Sequence, residues 1–180
     1  DGVIIYPSDT IYALGCSMYS NKALERVCKI RNIKPKNASF SVICEDISQA
    51  SKLTRPISNA HFKLIKRLTP GPYTFILPAS QGLPKLFQNK KKTIGVRIQQ
   101  TQTVAAIIER LGHPLVSASL KNDDDITPYY TDPSIIYDDF QKQVDLVIDG
   151  GFGGNSASTV LDLTKDEPQV IRKGLGVIDF

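Results

Sequence analysis

The chain has 180 residues, 41% of them hydrophobic and 22% charged, the size and balance of one domain with a packed core, which excludes a disordered chain. No stretch approaches the ~18 consecutive apolar residues of a membrane span, and Asp1-Gly2-Val3-Ile4-Ile5-Tyr6 lacks the basic and long apolar regions of a secretory signal. A soluble cytoplasmic protein is therefore expected, with sequence upstream of Asp1 trimmed away, and its net charge of +4 is a mild bias toward anionic partners.

Val3 to Tyr6 reads as a short buried strand ended by Pro7-Ser8-Asp9. Asn21 to Lys29 reads as a helix, with Ala23, Leu24, Val27 and Cys28 at helical spacing and Ser20 or Asn21 as N-cap. A Lys34-Pro35-Lys36-Asn37 loop leads to a strand from Phe40 to Cys44. Two helices are expected at Ile47 to Leu53 and Asn59 to Leu68, the second stopped by Thr69-Pro70-Gly71-Pro72. Tyr73 to Leu77, Thr93 to Ile98 and Leu115 to Ser119 read as strands, and Thr103 to Leu111 as an amphipathic helix ended by Gly112. Asp132-Pro133 opens a helix to about Gln141. Three late strands follow, Val144 to Ile148, Ser158 to Leu163 and Gln169 to Arg172, too closely connected for helical crossovers. The expectation is one α/β domain over residues 1–180 built on a mixed sheet.

In Thr93 to Ile98, three aliphatic residues alternate with Thr93, Gly95 and Arg97, so one face packs inward and the other shows a hydroxyl, a gap and a guanidinium. A glycine beside an arginine on a strand suggests close approach by a ligand or another backbone; an edge-strand arginine paired with a carboxylate fits equally. Lys29 and Arg31, two residues apart, converge only if the helix ends near Lys29 and the chain becomes extended; otherwise they are solvated charges at a helix C-terminus. Ser117, Ser119 and Lys121 fall on one side of a strand and its exit. Asp123-Asp124-Asp125 is either a Mg²⁺-holding run or a solvated loop. Gly150-Gly151-Phe152-Gly153-Gly154 either cradles an anion with backbone amides or makes a tight turn, and is no P-loop. Lysine clusters at Lys34 and Lys36, at Lys63, Lys66 and Arg67, and at Lys85, Lys90, Lys91 and Lys92 read as solvated faces. Cys16, Cys28 and Cys44, with His61 and His113 as the only histidines, match no zinc or redox spacing, so reduced buried thiols and no protein metal site are expected. No Ser-His-Asp, Cys-His or glycosidase-like pair stands out; that counts against a hydrolase and little against nucleotidyl transfer, where positioning and charge neutralisation suffice.

In order, Pro7-Ser8-Asp9-Thr10-Ile11-Tyr12-Ala13-Leu14-Gly15, Lys29-Ile30-Arg31, Pro70-Gly71-Pro72-Tyr73-Thr74, Thr93-Ile94-Gly95-Val96-Arg97, Ser158-Thr159-Val160-Leu161-Asp162 and Arg172-Lys173-Gly174 resemble the motifs of the YrdC-like family, the threonylcarbamoyl-AMP synthases, over the whole chain. The Tyr12 to Cys16 segment is most similar to the YciO branch. The resemblance implies a YrdC-like twisted mixed sheet flanked by helices, with a concave basic cavity. It implies condensation of L-threonine, bicarbonate and ATP, with Mg²⁺, into threonylcarbamoyl-adenylate and pyrophosphate, for modification of adenosine 37 in tRNA. A double-stranded RNA- or tRNA-binding protein with little synthase activity is the alternative. Carried over by position, Lys29, Arg31 and Arg172 would neutralise the triphosphate, and Lys29, Arg31 and Arg97 would form the catalytic set. Ser117 and Ser119 would bind the nucleotide, and Ser8, Thr10, Arg97 and Ser158 would orient threonine. Two departures stand out: the family's Ser-x-Asn is here Ser119-Leu120-Lys121, and Ala38-Ser39-Phe40 replaces a histidine-bearing segment.

Overall fold

A computed structural model describes residues 1–179 except 39, 85, 86, 88–91, 123–125 and 127, and the backbone alone of residue 36. The Asp123 to Asp125 run, Ser39 and the lysines Lys85, Lys90 and Lys91 therefore lie outside the described residues.

The chain alternates strands and helices: β1 (Val3–Pro7), β2 (Tyr12–Ser17), α1 (Asn21–Ile30), β3 (Ser41–Cys44), α2 (Ile47–Ser51), α3 (Asn59–Leu68), β4 (Tyr73–Pro78), β5 (Thr93–Ile98), α4 (Gln102–Leu111), β6 (Leu115–Ser119), α5 (Pro133–Phe140), β7 (Leu146–Val147), β8 (Thr159–Asp162) and β9 (Gln169–Arg172). All nine strands join one sheet in the order β7-β1-β2-β6-β3-β5-β4-β8-β9. The pairs β1–β7, β3–β5 and β4–β8 are parallel and the rest antiparallel, so the sheet is mixed.

Period-two alternation divides the side chains between two faces. On one face Ile5, Leu14, Ala118, Val42, Val96, Phe75 and Leu161 join the main core, covered by Leu24 and Val27 of α1, Ala50 of α2, Ile65 of α3 and Ile136 of α5. Each large aliphatic or aromatic side chain so buried contributes about 1.5–3 kcal/mol relative to exposure. On the other face, among the described residues, α4 supplies the helical cover: its Val104 and Ile108 pack on Tyr6, Ala13, Ile43 and Leu115. Beyond α4 the described residues leave a cavity on that face.

Helix ends follow local chemistry. Ser20, Asp46, Ser58, Thr101 and Asp132 each accept a backbone N–H as N-cap. α1 runs one residue past Lys29 and does not give way to extended chain. Asn32 takes a left-handed φ of 50°, the Asn32 amide donates to the Lys29 carbonyl and the Ile33 amide to the Cys28 carbonyl, and Ile33 packs on the core. This Schellman closure satisfies the last carbonyls and turns the chain at Arg31.

β2 has no counterpart among the strands expected from sequence. Every residue from Tyr12 to Cys16 is buried, because covering layers lie on both faces here and no polar alternation survives. The late strands also differ in arrangement: β7 and β8 are not neighbours. The segment from Ile148 to Ser158 crosses from one edge of the sheet to β8, passing over the β1–β2 turn. Tyr12 Oη donates to the Gly151 carbonyl at 2.7 Å and accepts from the Gly150 amide at 3.0 Å. A Cβ on Gly154 would lie 2.3 Å from the Thr10 carbonyl oxygen, and one on Gly153 2.7 Å from the Tyr12 ring. These glycines serve close passage of one segment over another, which distinguishes the loop from an anion cradle.

Gly154→Ala is therefore expected to lower the unfolding free energy by about 1–3 kcal/mol through backbone overpacking, read as a shifted urea midpoint. Gly82→Ala is the control, because its added Cβ meets nothing within 4 Å and the midpoint should hold.

Candidate functional site

Strand register lines up Gly15, Ser117, Ser41, Gly95, Ile76 and Asp162 across β2, β6, β3, β5, β4 and β8. Residues opposite one another share a face, and from Ser117 to Asp162 this row floors a cavity of about 560 Å³ on the open side of the sheet. Residues two away in each strand complete the lining: Ser119 on β6, Thr93 and Arg97 on β5, Thr74 on β4, and Val160 and Ser158 on and before β8. Arg31, Lys121 and Arg172 enter from the C-cap of α1, the exit of β6 and the end of β9.

The gap at Gly95 has a protein occupant. A Cβ there would stand 2.6 Å from Ser41 Oγ, so the glycine makes room for the side chain of the adjoining strand.

Arg97 lies on an interior strand and is 6% exposed. Its Nη2 forms an ion pair with Asp9 Oδ1 and donates to Thr10 Oγ1 at 3.3 Å. The carboxylate partner anticipated for an edge strand is thus present on an interior one. Gln99 holds the same turn by accepting the Asp9 amide at 2.8 Å. Burial raises the Asp9 carboxyl above its ordinary range, outweighing the Arg97 charge that pulls it down. Arg97 Nε, Asp9 Oδ2 and Gln99 Nε2 remain buried without hydrogen-bond partners.

The Ser8 and Thr10 hydroxyls complete this turn. Ser8 Oγ donates to the Ile11 carbonyl at 2.6 Å, so in its 3.1 Å contact with Thr10 Oγ1 the threonine is the donor. Both hydroxyl protons are thereby committed within the turn, and neither residue is among those lining the cavity. Across the cavity, Thr74 Oγ1 and Ser158 Oγ lie 2.7 Å apart. Arg172 clamps the same serine, donating from Nη2 to its carbonyl at 2.8 Å and its hydroxyl at 3.2 Å.

Lys29 and Arg31 separate. Lys29 is exposed and does not line the cavity. Arg31 is half-buried and does; burial lowers its pKa, while Cys28 and Tyr129 act in the opposite sense. The sole ion pairs among the described residues are Arg26–Asp145 and Arg97–Asp9, so Arg31, Lys121 and Arg172 face the cavity without a carboxylate partner. Asp162 is the carboxylate in the lining, and its Oδ1 accepts the Thr164 amide at 2.9 Å. No group of three His, Cys, Asp or Glu side chains able to hold a metal occurs among the described residues. Asp9 and Gln99 are site residues that the sequence pattern did not single out: Gln99 directly follows β5, while Asp9 lies 88 residues from Arg97.

Residues 1–174 match the Sua5_yciO_yrdC family model, described as telomere recombination, and the chain belongs to that family. It is 44% identical over 177 residues to the protein named YciO of Escherichia coli strain K12, covering 97% of this chain and 84% of that one. The crystal structure of E. coli YciO superposes with a TM-score of 0.89 at 42% identity, over 98% of this chain and 84% of that chain. A threonylcarbamoyl-AMP synthase of Chromobacterium violaceum is 38% identical over 118 residues, 66% of this chain and 61% of the relative. The crystal structure of Pyrococcus abyssi Sua5 complexed with L-threonine aligns with a TM-score of 0.84 at 27% identity; it covers 96% of this chain and 50% of that one. The twisted nine-strand sheet flanked by helices is thus the fold of this family.

Beneath the cavity, Tyr6 is wholly buried. Burial pushes its phenol up to about 12 from 10.0, against opposing effects of the Ser117 hydroxyl and the Arg97 charge. The folded state therefore holds this proton more tightly than the unfolded chain. The stabilisation is complete below pH 10 and is lost as pH rises toward 12. Two pKa units correspond to about 2–3 kcal/mol. Tyr6→Phe should flatten the fall in stability across this window by about that amount, measured by urea unfolding at several alkaline pH values.

Proposed function

We propose that this chain forms threonylcarbamoyl-adenylate from L-threonine, bicarbonate and ATP, releasing pyrophosphate, for modification of adenosine 37 in tRNA. One observation carries the reading: Arg31, Lys121 and Arg172 line one cavity, and none of them is in an ion pair with a carboxylate among the described residues. Arg31 is partly desolvated while Lys121 and Arg172 are exposed at the rim; cations gathered on one concave surface attract an anion, and a nucleoside triphosphate carries the opposite charge. The synthase name of the C. violaceum relative and the threonine-bound Sua5 structure support threonine as the acceptor.

The chemistry asks little of a protein nucleophile. The threonine amine and bicarbonate form a carbamate and water; a carbamate oxygen then attacks the α-phosphorus of ATP, and the bond to pyrophosphate breaks. Arg31 and Arg172 neutralise charge on the departing pyrophosphate. Ser117 and Ser119 present hydroxyls to the nucleotide. Arg97, held by Asp9, lines the cavity and would direct its positive charge at the carboxylate or carbamate of threonine, and Thr74 and Ser158 offer a hydroxyl pair on the opposite wall. Ser8 and Thr10 act by holding the turn that carries Asp9. Mg²⁺ fits as a partner of the phosphates with Asp162 as its protein carboxylate, in keeping with its habit of taking one or two carboxylates plus phosphates; it would offset phosphate charge.

The RNA-binding alternative has less support. The exposed Lys63, Lys66 and Arg67 lie on α3, which covers the face of the sheet opposite the cavity.

Purified protein given ATP, Mg²⁺ and bicarbonate should release pyrophosphate only when L-threonine is added. Arg31→Ala should reduce the rate ~10²-fold or more, the usual loss of one donor to a developing anion. No threonine-dependent release above that variant would overturn the reading.

A further inference from the structure

Lys121 stands where the synthase motif carries asparagine, and its surroundings give the change a direction. Ser117, Ser119 and Lys121 alternate along β6 and its exit, and all three line the cavity. The backbone there is fixed on both sides: the Leu120 amide donates to the Tyr12 carbonyl at 3.1 Å, and Lys121 forms an isolated antiparallel bridge with Tyr129. Tyr129 is also a neighbour of the Arg31 guanidinium, whose charge it favours. Two cations from distant parts of the sequence thus line one cavity, Lys121 as the strand-bridge partner of Tyr129 and Arg31 as its electrostatic neighbour. Neither has a carboxylate partner among the described residues.

An asparagine at this position offers one weak donor and one acceptor; a lysine offers three donors and a full charge, and no acceptor. Two like charges on one rim repel unless a multivalent anion lies between them. We infer that Lys121 is a specificity residue of this chain that, with Arg31, forms a two-cation seat for a polyphosphate, namely the phosphate chain of ATP and the pyrophosphate that leaves it. This inference rests on the adenylate-forming reading of the cavity and adds to it a contact of this chain's own. An ammonium meeting phosphate in the ground state and in the product binds both alike, so it lowers KM for ATP and strengthens inhibition by pyrophosphate without raising kcat. The chain should therefore hold its product more tightly than a synthase bearing the amide.

The test compares wild type with Lys121→Asn, Lys121→Met and Lys121→Arg, titrating inorganic pyrophosphate, ATP and adenosine by calorimetry at two or more salt concentrations. For the two uncharged variants, affinity for pyrophosphate and ATP should fall about tenfold, as expected for loss of one charge-assisted phosphate contact. The salt dependence should become shallower by about one in log–log slope. Adenosine binding should be unchanged, and Lys121→Arg should restore the wild-type values. In turnover, Lys121→Asn should raise KM for ATP and relieve pyrophosphate inhibition with kcat within about twofold. If wild type binds pyrophosphate and ATP but Lys121→Asn and Lys121→Met bind them as well, the role of Lys121 is overturned and the cavity's function stands. Loss of adenosine affinity to the same extent as ATP would also overturn it, as a merely structural effect. If wild type binds neither ATP nor pyrophosphate, the adenylate-forming reading falls, and this inference with it.

Discussion

The site depends on an unequal covering of the two faces of one sheet. Four helices close one face over a continuous apolar layer, while among the described residues α4 is the one helix on the other, over the part from β1 to β3. The remaining strands must end their inward-facing rows in something other than hydrocarbon. They do so mostly with serine, threonine, glycine, arginine and Asp162, which water or a polar ligand can satisfy, with Ile76 and Val160 among them. The polar cavity is thus the other half of the pattern that builds the core: each residue of β5 that does not face the helices faces the opening.

Within that opening the cations fall into two kinds. Arg97 is held by Asp9 and by the hydroxyl chain through Thr10 and Ser8, so its position is set before any ligand arrives. Such pre-orientation avoids reorganisation when charge develops. Arg31 and Lys121 have no such acidic partners among the described residues, and there Arg172 is tied to Ser158 by neutral contacts. A buried charge already matched and a set of unmatched ones at the rim suit a ligand with a small polar head and a highly charged tail.

Much of this was legible in the sequence, and the failures share a cause. The bounds of α3, β5, β6 and β9 follow directly from periodicity and caps. The alternation of β5 and of Ser117, Ser119 and Lys121 correctly put their polar side chains on one face. β2 was invisible because burial on both faces removes the polar half of the pattern. The divergence of Lys29 from Arg31 turned on a Schellman closure at Asn32, a motif that glycine more often announces. The meaning of Gly95, Gly153 and Gly154 depended on what lay beside them in space, a neighbouring serine and the β1–β2 turn. Local chemistry can be read from local sequence; a partner 88 residues away, as Asp9 is from Arg97, cannot.

The passage of the Ile148 to Ser158 segment over the β1–β2 turn has a consequence for how the molecule is made. Tyr12 is joined to Gly151 across 139 residues, Arg97 to Asp9 across 88 and Thr74 to Ser158 across 84. Contacts of such separation cost loop-closure entropy before they return anything, and they form late. The residues that line the cavity run from Arg31 to Arg172. On a ribosome, α1 and the first hairpin emerge long before β8 exists, so the binding site comes into being only after β8 has been made. Ligand capture is in this sense a readout of the strands from β3 to β9 having come together.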